Sequence, residues 1–224
     1  MKRTFFIIAI LISIFSLAQA QNIRMGISAS PQASWFTSDV ASIESEGAQA
    51  GFSFGLITDF FFTERYSFST GIMINNTGGT LSYADSLDFK ASDKVYNLGE
   101  KSTIKYKIQY VDIPLTFKME SNKIGYFKYY AQFGVINQIR VGASANITDD
   151  TQDFSGVGCK DEVGLFHMGY TIGTGALYYF SKNTAISLGA SYSNGFIDIT
   201  SNKNKDVEDK TTLKNLSLSV GLLF

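Results

Sequence analysis

The sequence contains very little of three residues that mark other classes of protein. Of its 224 residues, one is cysteine, one is histidine and two are proline. A single cysteine, Cys159, cannot form an intramolecular disulfide, which excludes a disulfide-stabilised scaffold. The single histidine, His167, has no second histidine and no nearby cysteine to complete a typical metal site.

The chain also lacks an excess of charge and, after its first residues, a long apolar run. The formal net charge of −1 argues against a nucleic-acid-binding surface. The one apolar run, residues 5–17, follows Lys2 and Arg3 and precedes Ala18-Gln19-Ala20, as in a secretory signal peptide. It is shorter than the roughly 20 residues of a membrane-spanning helix. We therefore predict a cleaved signal peptide over residues 1–20 and one domain over residues 21–224.

The residues that are abundant favour β structure. The chain has 20 glycines, 19 phenylalanines and 12 tyrosines. In the last stretch, 216–224, large apolar residues alternate with Ser217, Ser219 and Gly221 up to the terminal Phe224. A strand of a membrane barrel shows this pattern because its outer face meets lipid. Similar alternation predicts eight strands in all, at residues 22–36, 49–62, 66 onwards, 102–119, 127–146, 165–180, 184–199 and 216–224.

The connections between the predicted strands alternate in length. Three are short (63–65, 120–125 and 181–183), and four are long and polar (37–48, 84–101, 147–164 and 200–212). Outer-membrane barrels have short periplasmic turns and long extracellular loops, and they close because lipid cannot pair an open edge. The predicted fold is all-β: an eight-stranded antiparallel up-and-down transmembrane β-barrel in the outer membrane of a Gram-negative bacterium, with periplasmic N- and C-termini. A soluble barrel or sandwich is the alternative, with the large apolar residues inside.

Two finer features follow from the alternation. Aromatic residues beside the short turns predict an interfacial girdle; they are Phe60, Phe61, Phe62, Tyr66, Tyr126, Phe127, Tyr129, Tyr130, Tyr178, Tyr179, Phe180 and Phe224. A second girdle is expected from Trp35, Phe36, Tyr83, Tyr106 and Phe196. In residues 102–119 the apolar positions change from even to odd numbers, which predicts a β-bulge near Gln109.

Two stretches resemble a known family. Residues 110–118, YVDIPLTFK, resemble the Y-(L/V)-(E/D)-I-P-L…K strand of the PorT-like outer-membrane β-barrel family of Bacteroidota. Residues 192–199, YSNGFIDI, resemble its Y-x-x-G-L-x-D/N-I strand, with Phe196 in place of the usual Leu. The resemblance is carried by Tyr110, Asp112, Pro114, Tyr192, Gly195 and Ile199. It implies the barrel and its location; because PorT is associated with secretion, it also suggests a secretion-accessory role, by analogy of fold alone.

The terminal Phe224 resembles the carboxy-terminal signal by which outer-membrane barrels are recognised for insertion. The resemblance implies that the barrel-assembly machinery is a partner of this chain during insertion.

Four charged residues are predicted to face the lumen: Arg24, Asp59, Asp112 and Arg140. Because an unpaired buried charge is costly, we expect Asp59 or Asp112 to pair across the lumen with Arg24 or Arg140. The pairing is interpreted as a structural network. The alternative is a path for protons or ions.

Little in the sequence indicates catalysis. Ser191-Tyr192-Ser193-Asn194 resembles the His-x-Ser-Asn stretch of outer-membrane lipid A deacylases, but Ser191 stands in place of the catalytic histidine. Ser193 then has no obvious activator, although His167 is a conceivable base. The acidic segment 149–162 lacks the ligand spacing of a calcium loop. We predict no catalytic residue, no cofactor and no metal.

The predicted function is that of a non-enzymatic integral outer-membrane protein that acts through contacts. These contacts involve its long loops or its periplasmic side, in a secretion-accessory or surface-interaction role. The expected partners are outer-membrane lipid, the barrel-assembly machinery during insertion and a protein of unknown identity, with no nucleic acid. A lipid A-modifying hydrolase and a narrow channel are the two alternatives.

Overall fold

The computed structural model describes residues 22–39, 43–84, 86–91, 95–99, 101–149, 153–199 and 211–224. The predicted signal peptide and most of the fourth long connection lie outside these ranges. Among the described residues, no helix has the length and apolarity needed to cross a membrane. The strands are β1 (Asn22–Ser38), β2 (Ile43–Ser45), β3 (Gln49–Phe61), β4 (Tyr66–Tyr83), β5 (Leu87–Lys90), β6 (Val95–Leu98), β7 (Ser102–Glu120), β8 (Phe127–Thr148), β9 (Asp153–Gly158), β10 (Phe166–Tyr179), β11 (Ala185–Gly195) and β12 (Thr211–Leu223).

Eight long strands close into an antiparallel barrel, as predicted. Their order is β1-β3-β4-β7-β8-β10-β11-β12, and β12 pairs with β1 to close the sheet. At the seam, the Phe224 N–H donates to the Met25 carbonyl at 2.8 Å and the Met25 N–H donates back at 2.9 Å. The short strands β2 and β9 extend the wall beside β4 and β8, and β5 and β6 form a separate hairpin. Two strand limits differ from the prediction. β11 ends at Gly195 and not at residue 199. β12 begins at Thr211 and not at residue 216, because its ladder with β1 reaches Ser38.

The barrel has two distinct ends. The connections between β3 and β4, β7 and β8, and β10 and β11 are short; we call this the short-turn end, and the opposite one the long-loop end. In the half near the short turns the apolar side chains point outward: Ile72 is 62% exposed and Leu218 is 61% exposed. On β4, Ser67 and Ser69 alternate with the outward residues and are buried on the inner side. The outer wall is therefore the apolar one, which contradicts the soluble alternative.

The half near the long loops has the opposite polarity. On β7, Ile104, Tyr106 and Ile108 are buried, whereas Lys105 and Lys107 are exposed. Strands β1, β4, β7, β8 and β12 and the connecting segments together supply an apolar core here, which we call the cap cluster. It consists of Phe36, Leu81, Tyr83, Phe89, Ala91, Leu98, Ile104, Tyr106, Ile108, Tyr110, Ala143, Ala145, Ile147, Val157, Cys159, Val163, Ile199 and Leu213. This half is built like a water-soluble protein.

The predicted β-bulge is present, but its cause differs from the prediction. The β7–β8 register shifts between Gln109 and Tyr110, as expected. However, β7 keeps its even-numbered residues inside throughout, and it is β8 that changes, from Gln138 inside to Ala143 inside. The prediction placed the upper apolar residues of β7 toward lipid, whereas they belong to the cap cluster.

The aromatic girdles are only partly as predicted. Tyr129 and Phe180, each 55% exposed, lie on the outer wall near the short turns. Tyr130 and Tyr179 instead point into the lumen and are buried. Phe36, Tyr83 and Tyr106, expected in the second girdle, are in the cap cluster. Tyr130 fits inside because Gly175 and Gly189 leave room for its ring.

Candidate functional site in the barrel lumen

An ion-pair cluster fills the lumen at the short-turn end. Arg24 Nη2 lies 2.6 Å from Asp59 Oδ2, and Lys118 Nζ lies 3.0 Å from the same oxygen. Arg24 also pairs with Glu120, and Lys128 Nζ is 3.2 Å from Glu120 Oε2. Each of the two buried carboxylates thus has two cationic partners. Such pairing offsets the desolvation of charges in a closed lumen.

Tyrosines complete this cluster. Arg24 Nη1 donates a hydrogen bond of 2.8 Å to the Tyr179 hydroxyl. The ammonium group of Lys118 lies 4.6 Å from the centre of the Tyr130 ring, a cation–π contact. Strand alternation places both rings on the inner face, where the cations hold them, and this is why they are absent from the outer girdle.

The structure brings together two of the four expected lumen charges, Arg24 and Asp59. The other members of the cluster, Lys118, Glu120 and Lys128, were missed by the sequence analysis. Alternation could have identified two of them, because Lys118 and Glu120 are even-numbered residues of β7, like Asp112, and therefore lie on the same face of the strand. Glu120 was assigned to a turn, whereas β7 includes it.

A second set of polar side chains crosses the lumen on the side of the ion-pair cluster that faces the long-loop end. We call this set the amide belt. Gln32 Nε2 donates to Asn75 Oδ1 at 2.6 Å, and Asn75 Nδ2 donates to Asp112 Oδ2 at 2.7 Å. Gln138 Nε2 donates to Asp112 Oδ1 at 2.8 Å, and Gln138 Oε1 lies 2.8 Å from His167 Nδ1. The belt therefore joins β1, β4, β7, β8 and β10 in one chain of hydrogen bonds.

The belt determines the tautomer of His167. Since Gln138 uses its amide nitrogen to donate to Asp112, its oxygen must accept, so the proton lies on His167 Nδ1. The other nitrogen, Nε2, faces Gly195, where any Cβ would clash with the imidazole ring. The ring is thus held between the Gln138 amide and a glycine.

This arrangement connects the two sequence motifs. Asp112 is on β7 and Gly195 is on β11, and β8 and β10 lie between them. Through Gln138 and His167, the carboxylate and the glycine belong to one contact chain.

The other motif residues lie around this chain. Tyr110, which is completely buried, has its ring centre 6.2 Å from that of His167, and Pro114 lines the lumen. The ring of Tyr192 lies 6.3 Å from that of Tyr170 at an interplanar angle of 60°, and Ile199 lies in the cap cluster.

Arg140 is not part of either set of contacts. A pairing with Asp112, one of the combinations that the sequence left open, is absent, because that carboxylate is bound by Asn75 and Gln138. Arg140 Nε and Nη1 are buried and donate no hydrogen bond.

Cys159 is completely buried in the cap cluster. Burial, together with the nearby Glu162 carboxylate, raises the pKa of its thiol to about 12. A neutral, buried thiol is unreactive, in keeping with a packing role.

Serines line the space between the two ends, a cavity of about 150 Å³. The Ser191 and Ser217 hydroxyls are 2.7 Å apart, and Ser193 faces the same cavity. A lipid substrate would approach from the outer wall, so Ser193 is on the wrong side for the hydrolase alternative. Among the described residues, no group of three or more acidic, histidine or cysteine side chains could hold a metal ion.

Comparison with known proteins agrees with this architecture. The family model described as "Outer membrane protein beta-barrel domain" matches residues 18–201. Comparison with curated proteins gives no match.

Solved structures similar to this chain include three membrane barrels. Neisserial surface protein A is 14% identical, with 89% of this chain and 95% of that one covered and a TM-score of 0.45. OprG from Pseudomonas aeruginosa is 12% identical, with 90% and 94% covered and a TM-score of 0.40. The outer membrane protease OmpT from Escherichia coli is 11% identical, with 91% and 96% covered and a TM-score of 0.45.

Proposed function

Since the chain belongs to the outer membrane protein beta-barrel domain family and is placed by it in the outer membrane, we propose that it is a non-enzymatic barrel that acts through contacts at its long-loop end. In this proposal the short turns and both termini face the periplasm, and the long loops face outward. The direct partners are outer-membrane lipid, the barrel-assembly machinery during insertion and a protein or surface ligand at the loops.

The observation that carries the proposal is that side chains occupy the lumen at both ends. The ion-pair cluster fills the short-turn end, and the cap cluster fills the long-loop end with residues from the wall and from β5, β6 and β9. A lumen filled in this way favours a rigid support for the loops over a conducting pore. A buried core under the loops also holds the loop-end surface in one shape, as recognition requires.

The PorT-like assignment, with a secretion-accessory role, is the finer part of this proposal. It is supported by the contact chain that links the motif residues Asp112 and Gly195. No observation favours the hydrolase or the channel.

Site-specific photo-crosslinking in intact cells tests the proposal. A crosslinker is placed at Asn97 on β6, which is exposed at the long-loop end, and in a matched variant at Lys182 in a short turn. We expect the Asn97 variant to form a discrete adduct with a surface protein or ligand, and the Lys182 variant to form none with surface components. Adducts with a secretion component would support the finer assignment.

Two results contradict the proposal. One is a steady conductance of the purified protein in planar bilayers, which requires an open lumen. The other is turnover of phospholipid or lipid A that disappears in Ser193→Ala. Labelling of Asn97→Cys only after the outer membrane is permeabilised contradicts the proposed orientation separately.

A further inference from the structure

The outer wall changes sharply from apolar to polar at one level of β4, β7 and β8. Ile74, Val111 and Ile139 are opposite one another across the three strands and form the last paired apolar row, beyond which only the bulge residue Val141 is apolar and exposed. The next outward row is Asn76, Gln109 and Gly142, followed by Gly78, Lys107 and Ser144, and then by Thr80, Lys105 and Asn146. A boundary of this kind marks the upper limit of the lipid hydrocarbon.

A groove lies on the outer wall across this boundary. It has a volume of about 850 Å³ and is lined by Lys105, Lys107 and Lys160 together with Phe52, Asn76 and Ser144. All three lysines and Phe52 are exposed. Lys107 lies about 7 Å along the strand beyond Gln109, at the rise of one extended residue per 3.3 Å. The groove thus combines an apolar floor with three ammonium groups just above the hydrocarbon.

The distribution of charge over the eight barrel strands is one-sided. Every carboxylate of these strands, namely Asp59, Asp112 and Glu120, is buried in the lumen. The charged side chains of the same strands on the outer face are Lys105, Lys107 and Lys214, all near the long-loop end. Acidic residues are also present on adjoining segments: Glu44 and Glu46 beside the upper part of β4, and Asp161 and Glu162 after Lys160.

From this arrangement we infer that the groove binds the phosphate group of an outer-leaflet lipid. Lys105, Lys107 and Lys160 contact the phosphate, and the acyl chains of the same lipid lie against Phe52, Ile74 and Val111. The inference rests on the proposed orientation, in which the long-loop end is in the outer leaflet. A soluble phosphate would use the ammonium groups but gain nothing from the apolar row, which is why we commit to a lipid.

Native mass spectrometry of the protein in detergent with added lipid A tests the inference. The variant Lys105→Gln/Lys107→Gln is compared with Arg65→Gln/Lys182→Gln, which removes the same charge from exposed positions at the short-turn end. We expect the first variant to bind bisphosphorylated lipid A about tenfold more weakly than the natural protein, since each lysine near a membrane surface contributes substantially to anionic lipid binding. The second variant should bind as the natural protein does. Lys160→Gln should give a smaller loss in the same direction.

Three outcomes overturn the inference: equal binding by both double variants, equal binding of enzymatically dephosphorylated lipid A, or displacement of the lipid by inorganic phosphate alone. The last would identify a soluble anion as the ligand. Because both ends of the barrel are accessible in detergent, the binding result does not depend on orientation. Failure of the proposed orientation is therefore detected by the Asn97→Cys labelling and not by this experiment.

Discussion

At the scale of single residues, the lumen is organised by charges and by the space that glycines leave. Arg24 and Asp59 were predictable because both lie on the inward parity of strands with apolar outer faces. The choice of partner was not predictable, because it depends on the relative heights of strands that are distant in sequence. That is why Asp112 is bound by amides and Arg140 pairs with no carboxylate of the lumen clusters.

Gly195→Ala should destabilise the barrel by about 1–3 kcal/mol, the usual cost of overpacking a filled interior. The added methyl group clashes with the His167 imidazole and forces it away from Gln138. The measurement is the temperature at which the compact band of the unboiled protein disappears from a gel.

Gly142→Ala is the control for this prediction, because its new Cβ would lie 3.7 Å from the nearest atom, an ordinary contact. Adding His167→Ala to Gly195→Ala should recover part of the loss. Equal stability of the two single alanine variants would show that the Gly195–His167 contact is unimportant.

Asp59→Asn should cost about 3 kcal/mol of stability, as is typical when one partner of a buried ion pair is removed. The substitution leaves Arg24 and Lys118 with one carboxylate fewer, although the shape of the side chain is unchanged. Chemical unfolding in detergent measures the loss. Glu64→Gln, an exposed carboxylate in a short turn, serves as the control and should change stability by less than about 0.5 kcal/mol. A similar small change for Asp59→Asn would mean that water in the lumen screens the charges.

At the scale of strands, alternation predicted where the strands lie. It did not predict whether the apolar side of each strand faces lipid or a buried core. The limits of most strands were predicted within a few residues because turn residues interrupt the alternation. Ile104, Tyr106 and Ile108 alternate as regularly as Ile113 and Leu115, yet the first three face a core and the last two face lipid. The period is the same in both halves of β7, and only the surroundings differ. A sequence pattern alone does not identify those surroundings.

Because β8 contains a bulge, we expect two single-residue deletions in this strand to have different effects. Removing Val141 takes out the residue that has no partner on β7, so that Gln138 and Ala143 can both remain inside with a regular ladder. We expect this variant to fold with a modest loss of heat stability. Removing Gly134, in the regular part of the same strand, reverses the facing of the residues that follow and turns Gln138 toward lipid. That variant should not form a heat-modifiable barrel. Equal folding of both deletions would contradict the assigned register.

At the scale of the whole molecule, the ladder that closes the barrel between β1 and β12 extends to the last residue. The Phe224 backbone makes two hydrogen bonds with Met25 across the seam. The barrel itself was predictable, because a membrane leaves no alternative to closure. The cap cluster was not predictable, because it joins inward residues of the barrel strands to loop segments whose docking depends on the completed wall.

Deleting Phe224 should separate stability from assembly. Loss of two hydrogen bonds should lower the stability of refolded protein by about 1–3 kcal/mol. The amount of barrel in the outer membrane of living cells should fall several-fold if the terminal aromatic residue is the insertion signal. Phe224→Tyr keeps the backbone bonds and an aromatic ring, and it should behave as the natural protein does. An unchanged amount of barrel in the outer membrane of cells after the deletion would contradict the insertion role of Phe224.

The position of the polar boundary on β4 also sets the thickness of hydrocarbon that this strand can span. The outward apolar run on this strand extends from Tyr66 to Ile74, with Asn76 beyond it. At about 3.3 Å per residue and a tilt of about 40°, the run spans roughly 20 Å along the membrane normal, less than the usual band of about 25 Å. The bilayer next to β4 must therefore thin, or recruit shorter acyl chains, wherever this protein is inserted.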